Sequence, residues 1–260
     1  DSNGVSLEEA IANSGTIAAA QVFMTVKTAK NIFKQAVNQT GVVRANQVIK
    51  VGDAIRIVAS GADVIASGTL DAGANGTILI SSDESIKVNA KLNITGEATL
   101  AANKDIEVNA DIAADSGDLS LLADYDLDGV GAFNQAAGTT IATTTSGDIT
   151  IQSSGASTLA NINAIGDLNL NQAGAVAIYN QQADSQVRTA GSLYIGKGVT
   201  LNAANTEYSI SRNWANSGLF NAGTSTVNLV SSQDANVLGA NIFYNFPRFS
   251  NVKIIKDIGS

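Results

Sequence analysis

Three aspartates stand at alternate positions in the stretch Asp124-Tyr125-Asp126-Leu127-Asp128-Gly129. Asp124, Asp126, Asp128 and Gly129 fill the first, third, fifth and sixth places of the D-x-D-x-D-G pattern that wraps calcium in oxygen ligands, and Val130 would add a backbone carbonyl. The twelfth place holds Gln135 instead of a bidentate Glu, and no helix flanks the loop, so an EF-hand is not implied. A calcium site here would be weaker, or would borrow Asp115 or Asp118 nearby. The competing reading is a loop that bulges between repeats, its mutually repelling carboxylates screened by water.

Little else in the chain suggests chemistry. Zero cysteines and zero histidines remove thiol nucleophiles, imidazole bases, zinc sites with nitrogen or sulfur ligands and Ser-His-Asp triads. Arg44, Arg56, Arg188, Arg212 and Arg248 are scattered along the chain. The single Asp cluster does not supply the two carboxylates, about 5 to 10 Å apart, of a glycoside-cleaving groove. The Thr-rich run Thr139 to Thr145 has no matching Thr-x-Thr in neighbouring phrases, which argues for an ordinary strand over an ice-binding ladder. Trp214, Phe220, Phe243, Tyr244, Phe246 and Phe249 gather near the end, where rings are expected to cover the last turn of a stack, with a sugar platform as the alternative.

The elements that would hold these residues are strands. Apolar and polar residues alternate in short phrases such as AIRIVAS, TILISS, SIKVNA and DITIQSS, each closed by Gly, Asn or Asp. Aromatics make up only 5% of the 260 residues and Pro247 is the single proline, as suits a long ladder that needs every backbone N–H. Fifteen Lys and Arg against 23 Asp and Glu give a net charge of −8, which disfavours nucleic acid and anionic membrane surfaces as partners. No apolar run approaches the roughly 18 residues of a membrane span, and the first residues lack the basic and apolar segments of an export signal, which is expected to lie outside this stretch.

The phrases also repeat. SIKVNAKLNITGEATLAA from Ser85 aligns with DIEVNADIAADSGDLSLLAD from Asp105 at a shift of 20, and a Gly-Asp/Ser-Leu/Ile start recurs at Gly117, Gly147, Gly166 and Gly191. Such self-similarity without helical interludes predicts an all-β solenoid in which each repeat is one coil and Ile86/Val88 stack on Ile106/Val108. An antiparallel sandwich is the competing fold. At about 22 residues per coil the length predicts about 12 coils and a rod about 55 Å long. Val22, Val26, Ala29, Phe33, Ala36 and Val37 also fit a helical face, so a short helical excursion is expected near residues 30-37. The stem is expected over 1-212, with a closing β module over 213-260. Turn residues such as Asn13, Asn38, Asn161 and Asn163 are expected to satisfy bends or stack in ladders.

The segment from Asn13 to Ala45, NSGTIAAAQVFMTVKTAKNIFKQAVNQTGVVRA, resembles the recurring unit of filamentous-haemagglutinin-like exoproteins of the two-partner secretion type. VIASGTLDAGANGTILISS is similar to a coil of the same class, as are the Asp-containing insert with its following strands and the late stretch NWANSGLFNAGTSTVNLV. The resemblance covers most of the chain and implies a right-handed parallel β-helix (β-solenoid) and a secreted bacterial rod at the cell surface, acting as a non-catalytic filament, stalk or adhesin. Its implied partners are a host or neighbouring cell surface, extracellular matrix or glycan, and other copies joined end to end. No cofactor is required by such a role; calcium at the Asp loop would be the exception. The family's amino-terminal secretion domain has no counterpart here, so the stretch is expected to be an internal or carboxy-proximal piece. A polysaccharide lyase or glycosidase is the alternative function, because parallel β-helices also carry those enzymes.

Overall fold

The computed structural model describes residues 7–19, 21–27, 32–44, 54–171, 176–231, 234–247 and 252–254. Among these residues there is no helix, and three parallel sheets of 10, 10 and 11 strands run the length of the chain. As far as Ala235–Leu238 each sheet takes every third strand, so one coil contributes a strand to each and then climbs to the next layer, and Val252–Ile254 adds an eleventh strand to the third sheet. The result is a three-sided parallel β-helix, as expected; no pairing is antiparallel among the described residues.

The expected helical excursion is corrected. Phe33–Gln39 is a strand of the first sheet, while Lys30 falls outside the described residues. A bulge between Gln35 and Val37 lets Ala36 and Val37 both turn inward, and two adjacent buried apolar residues imitate one face of a helix. The coil count is corrected too. Ten layers stack through nine steps, which at about 4.8 Å per step makes a rod roughly 43 Å long. Coils are longer than about 22 residues where they carry insertions: the register step is 20 from Ile86 to Ile106 but 27 from Ile106 to Phe133, the coil that holds the Asp loop.

Burial follows the alternation. In the third sheet one inward column runs Val22, Ile55, Ile78, Ala98, Leu119, Ile149, Leu168, Leu193, Trp214 and Val237, each paired with the next one coil later and every one buried. A sheet that meets its own sequence one layer up can place like side chains on like, and each fully buried aliphatic contributes about 1.5–3 kcal/mol. The stack continues across residue 213: Trp214–Asn216, Leu219–Asn221, Thr226–Leu229 and Ala235–Leu238 extend the third, first, second and third sheets in turn.

The recurring Gly-Asp phrase is a corner where coils touch backbone to backbone. A Cβ on Gly147 would lie 1.9 Å from Gly117 O, and one on Gly191 would lie 2.6 Å from Gly166 O. The neighbouring acceptors form a chain along the rod. Asp118 Oδ1 accepts the Asp148 amide at 2.8 Å, Asp148 Oδ1 that of Asp167 at 2.7 Å, and Asp167 Oδ1 that of Ser192 at 2.6 Å. Ser192 Oγ then accepts the Asn213 amide at 3.2 Å and Asn213 Oδ1 that of Asn236 at 2.9 Å. A second ladder, of asparagine amides, joins Asn180, Asn202 and Asn221 at 2.8 and 2.7 Å.

In one stretch the interior becomes polar. Ser157 stands in the column between the layers of Phe133 and Tyr179, and its hydroxyl donates to Ser153 Oγ at 2.9 Å. Asn171, with φ of 48°, accepts the Ser153 amide at 3.0 Å, returns a bond to Ser153 O at 2.7 Å and accepts the Tyr179 hydroxyl. All four side chains are buried and bonded, the condition under which a polar interior is tolerated.

Two outcomes are expected. Ile106→Asp places an unpaired charge inside the stack and should lower unfolding free energy by several kcal/mol in urea titration, whereas Glu107→Gln, on the outward side 3.7 Å from Lys87, should change it by under about 1 kcal/mol. Burial pushes the Tyr179 and Tyr208 phenols well above their ordinary value, against weaker pulls downward from Ser153 and Thr206. A raised folded-state pKa means that this stability is intact below the ordinary tyrosine value of about 10 and is lost as pH climbs past it. Urea midpoints should therefore hold steady from about pH 8 to 9.5 and then fall, less steeply in Tyr179→Phe.

Candidate cation loop

The Asp loop follows Leu119–Leu122, a strand of the third sheet, and fills the extra length of its coil. Its first residue is its anchor. Asp124 takes φ of 52° and is 1% exposed, and its amide donates to Lys104 O at 3.2 Å while that of Tyr125 donates to Ala102 O at 2.9 Å, both in the coil before. One coil later, Ser154 donates its hydroxyl to Asp124 Oδ2 and its amide to Gly131 O at 2.8 Å. The loop is thus stapled to layers on both sides.

The remaining bonds shape the turn. Asp124 Oδ1 accepts the Gly129 amide at 3.1 Å, Leu127 donates to Asp124 O at 3.1 Å, and Asp128 Oδ1 accepts the Val130 amide at 2.8 Å. Gly129 sits at φ of 89° with open space around it, so glycine is needed there for its backbone conformation. Asp126 and Asp128 are exposed, as are Tyr125, Leu127 and Val130 at the tip.

The structure brings Asp124, Asp126 and Asp128 together, with one carboxylate oxygen of each within 4.8 Å of the others. Magnitudes decide what this requires. Two unit charges at that separation repel by only about 1 kcal/mol in water, so solvent alone can hold the exposed pair, and both oxygens of Asp124 already have donors. Asp115 and Asp118 are not drawn in: Asp115 accepts the Thr144 hydroxyl at 3.2 Å and also that of Thr145, and Asp118 caps the Asp148 amide. The Val130 amide is committed to Asp128. Ser154, the partner that fixes the loop, is 30 residues from Asp124, and no local spacing points to it.

The other residues singled out in the sequence lie apart. Trp214, Phe220, Phe243 and Phe246 pack together with Tyr208, at ring centroid distances of 4.6 to 6.0 Å, and Trp214 donates its indole N–H to Asn241 Oδ1 at 2.7 Å. Tyr244 is exposed, and Phe249 lies outside the described residues, as does Arg248. Asn13 accepts the Gly15 amide at 3.2 Å and Asn161 accepts that of Gln186 at 2.9 Å, so both act at bends.

Asp124→Ala should cost about 1–3 kcal/mol in urea titration with or without calcium, because it leaves the Gly129 amide and the Ser154 hydroxyl unpaired. Asp126→Asn should be near neutral. Calorimetry of the wild type up to about 1 mM calcium should show no heat and no thermal shift; heat that disappears in Asp126→Asn would assign the loop to calcium instead. No protein-family model matches the chain, and no curated protein or solved structure does either.

Proposed function

We propose that this chain is a segment of a non-catalytic bacterial surface rod, a stalk or adhesive filament of the filamentous-haemagglutinin-like kind. One observation carries the reading: three parallel sheets pair layer on layer through ten layers, and the space they enclose is filled by the chain's own side chains. A fold organised in this way carries length, stiffness and repeated outer faces. On this reading the outer faces meet a cell surface, matrix or glycan outside the cell, and copies join end to end.

The grooves on the outer faces support the non-catalytic reading over a polysaccharide-cleaving enzyme. One, of about 420 Å³, is lined by Arg212, Asn213, Asp234 and Asn236 among others, and a second, of about 400 Å³, by Asn161, Asp184, Gln186 and Arg188 among others. Among the described residues each offers a single carboxylate, whereas acid and nucleophile or base in a glycosidase need two. Both are open and polar. The aromatic cluster around Trp214 serves in this reading as a cover over the last complete layer, with Phe243 and Phe246 shielding rings that would otherwise offer an apolar end for pairing.

Negative-stain microscopy of the purified chain should show rods, and labelled protein should bind whole cells or matrix in a saturable way without cleaving polysaccharide. Compact particles with lyase or glycosidase activity would overturn the reading. Truncation after Val230 removes Ala235–Leu238, Phe243 and Phe246, and should convert a monomer into self-associating species by light scattering. A monomeric, well-behaved truncation would remove the covering role from these rings.

A further inference from the structure

Four of the five buried side-chain atoms that lack a hydrogen-bond partner among the described residues belong to one corner of the solenoid, between the first and second sheets near its carboxy-terminal end. They are Gln181 Oε1, Thr206 Oγ1, Tyr208 Oη and Ser225 Oγ. Register places them in three successive layers. Asn180 pairs with Asn202 and Asn202 with Asn221, so Gln181 is followed in its column by Ala203 and then Ala222. Thr206 and Ser225 close the turns after those alanines, donating their amides to Ala203 O and Ala222 O at 3.0 Å each. Tyr208 lies two residues beyond Thr206 on the inner face of the second sheet. Thr206 lies near enough to Tyr208 to draw its phenol pKa down, so these two hydroxyls answer only each other; native interiors leave few polar groups so poorly paired, and four in one corner point to a common partner.

Lower layers show how this corner can be satisfied. Gln39, Gln135 and Gln181 occupy the same column lower in the stack, and each turns its Nε2 onto turn carbonyls: Gly41 O at 3.0 Å, Thr139 O at 3.1 Å and Ala160 O at 2.7 Å. Ala66, Val88, Val108 and Leu159 fill the column between these glutamines, and Ala203 and Ala222 follow them. The adjacent turn carries a hydroxyl in the glutamine layers as well: Thr139 and Ser185 donate theirs to Ala136 O at 2.8 Å and Gln182 O at 2.6 Å, whereas their counterparts one and two layers beyond Ser185, Thr206 and Ser225, have no such bond.

We propose that this corner is a binding site for ordered water, with at least one molecule bridging Tyr208 Oη and Thr206 Oγ1 to Gln181 Oε1 or Ser225 Oγ. The chemistry is balanced. Water donates to Gln181 Oε1, which can only accept, and exchanges bonds with hydroxyls that rotate to donate or accept, reaching the three or so contacts usual for a buried water. Burial holds the Tyr208 phenol protonated, so it is a donor at neutral pH. The bound water ties the last layers to the aromatic cluster, since the Tyr208 ring packs edge-on against Trp214 at 5.7 Å and Phe220 at 6.0 Å.

A high-resolution crystal structure of the full chain should show a solvent peak within about 3.2 Å of Tyr208 Oη and of a second of the four atoms. No peak, with the hydroxyls bonded directly to one another or to backbone carbonyls, would overturn the proposal. Thermal melts give an independent reading. In a hydrated corner the double variant Tyr208→Phe, Thr206→Val strips two partners from the water and should lower Tm by about 2–4 °C, whereas in a dry corner it removes hydroxyls that answer only each other and leaves Tm unchanged or higher. Ala203→Gln should supply an amide, abolish the solvent peak and leave Tm at or above wild type; a peak that persists beside the new side chain would count against the site.

Discussion

Backbone hydrogen bonds that run along the rod axis fix the distance between coils at the strand spacing, and every residue must live with a near copy of its environment one layer above and below. This spacing explains the composition. Aliphatic side chains tolerate close stacking on their own kind, as in the column from Val22 to Val237, whereas corners admit only residues that let two backbones touch. At Gly147, where an added Cβ would strike Gly117 O at 1.9 Å, no other residue fits. The polar residues at the corners are equally constrained, because an amide turned away from the ladder must find an acceptor in the adjacent coil, and Asp118, Asp148 and Asp167 supply it.

Much of the fold was legible because the same constraint writes itself into the sequence. The shift of 20 between the Ser85 and Asp105 phrases is the register of the structure, with Ile86 on Ile106 and Val88 on Val108. Where pairing loses its regularity the reading failed. The bulge at Gln35 and Val37 turned two neighbouring apolar residues inward, a pattern that period counting assigns to a helix. The coil count was too high because insertions lengthen single coils without disturbing the strands on either side. Of the loop, the clustering of three carboxylates was readable from their alternate spacing, but the role of Asp124 was not: its partner Ser154 is brought under it only by the climb of the next coil.

Polar residues inside the solenoid were the least legible. Ser153 lies in the closing Ser pair of the phrase DITIQSS, and no alternation marks Ser157, Asn171 or Tyr179 as inward, yet they form one bonded group at the centre of the rod. Small polar side chains in the interior column leave room, and a tyrosine entering from the next layer fills it and satisfies the asparagine. Such exchanges of volume between layers have no local signature, since the compensating residues are separated by a full coil.

The corner chain from Asp118 to Asn236 has a direction. At each of its five steps a side chain of one coil accepts an amide that comes later in the sequence. A finished turn therefore exposes acceptors matched to residues still to come, and an incoming turn finds its register marked before its own strands have paired. A chain delivered amino end first meets a growing platform whose last layer is always the template for the next, so that assembly proceeds by local addition and never requires distant parts of the polypeptide to search for one another.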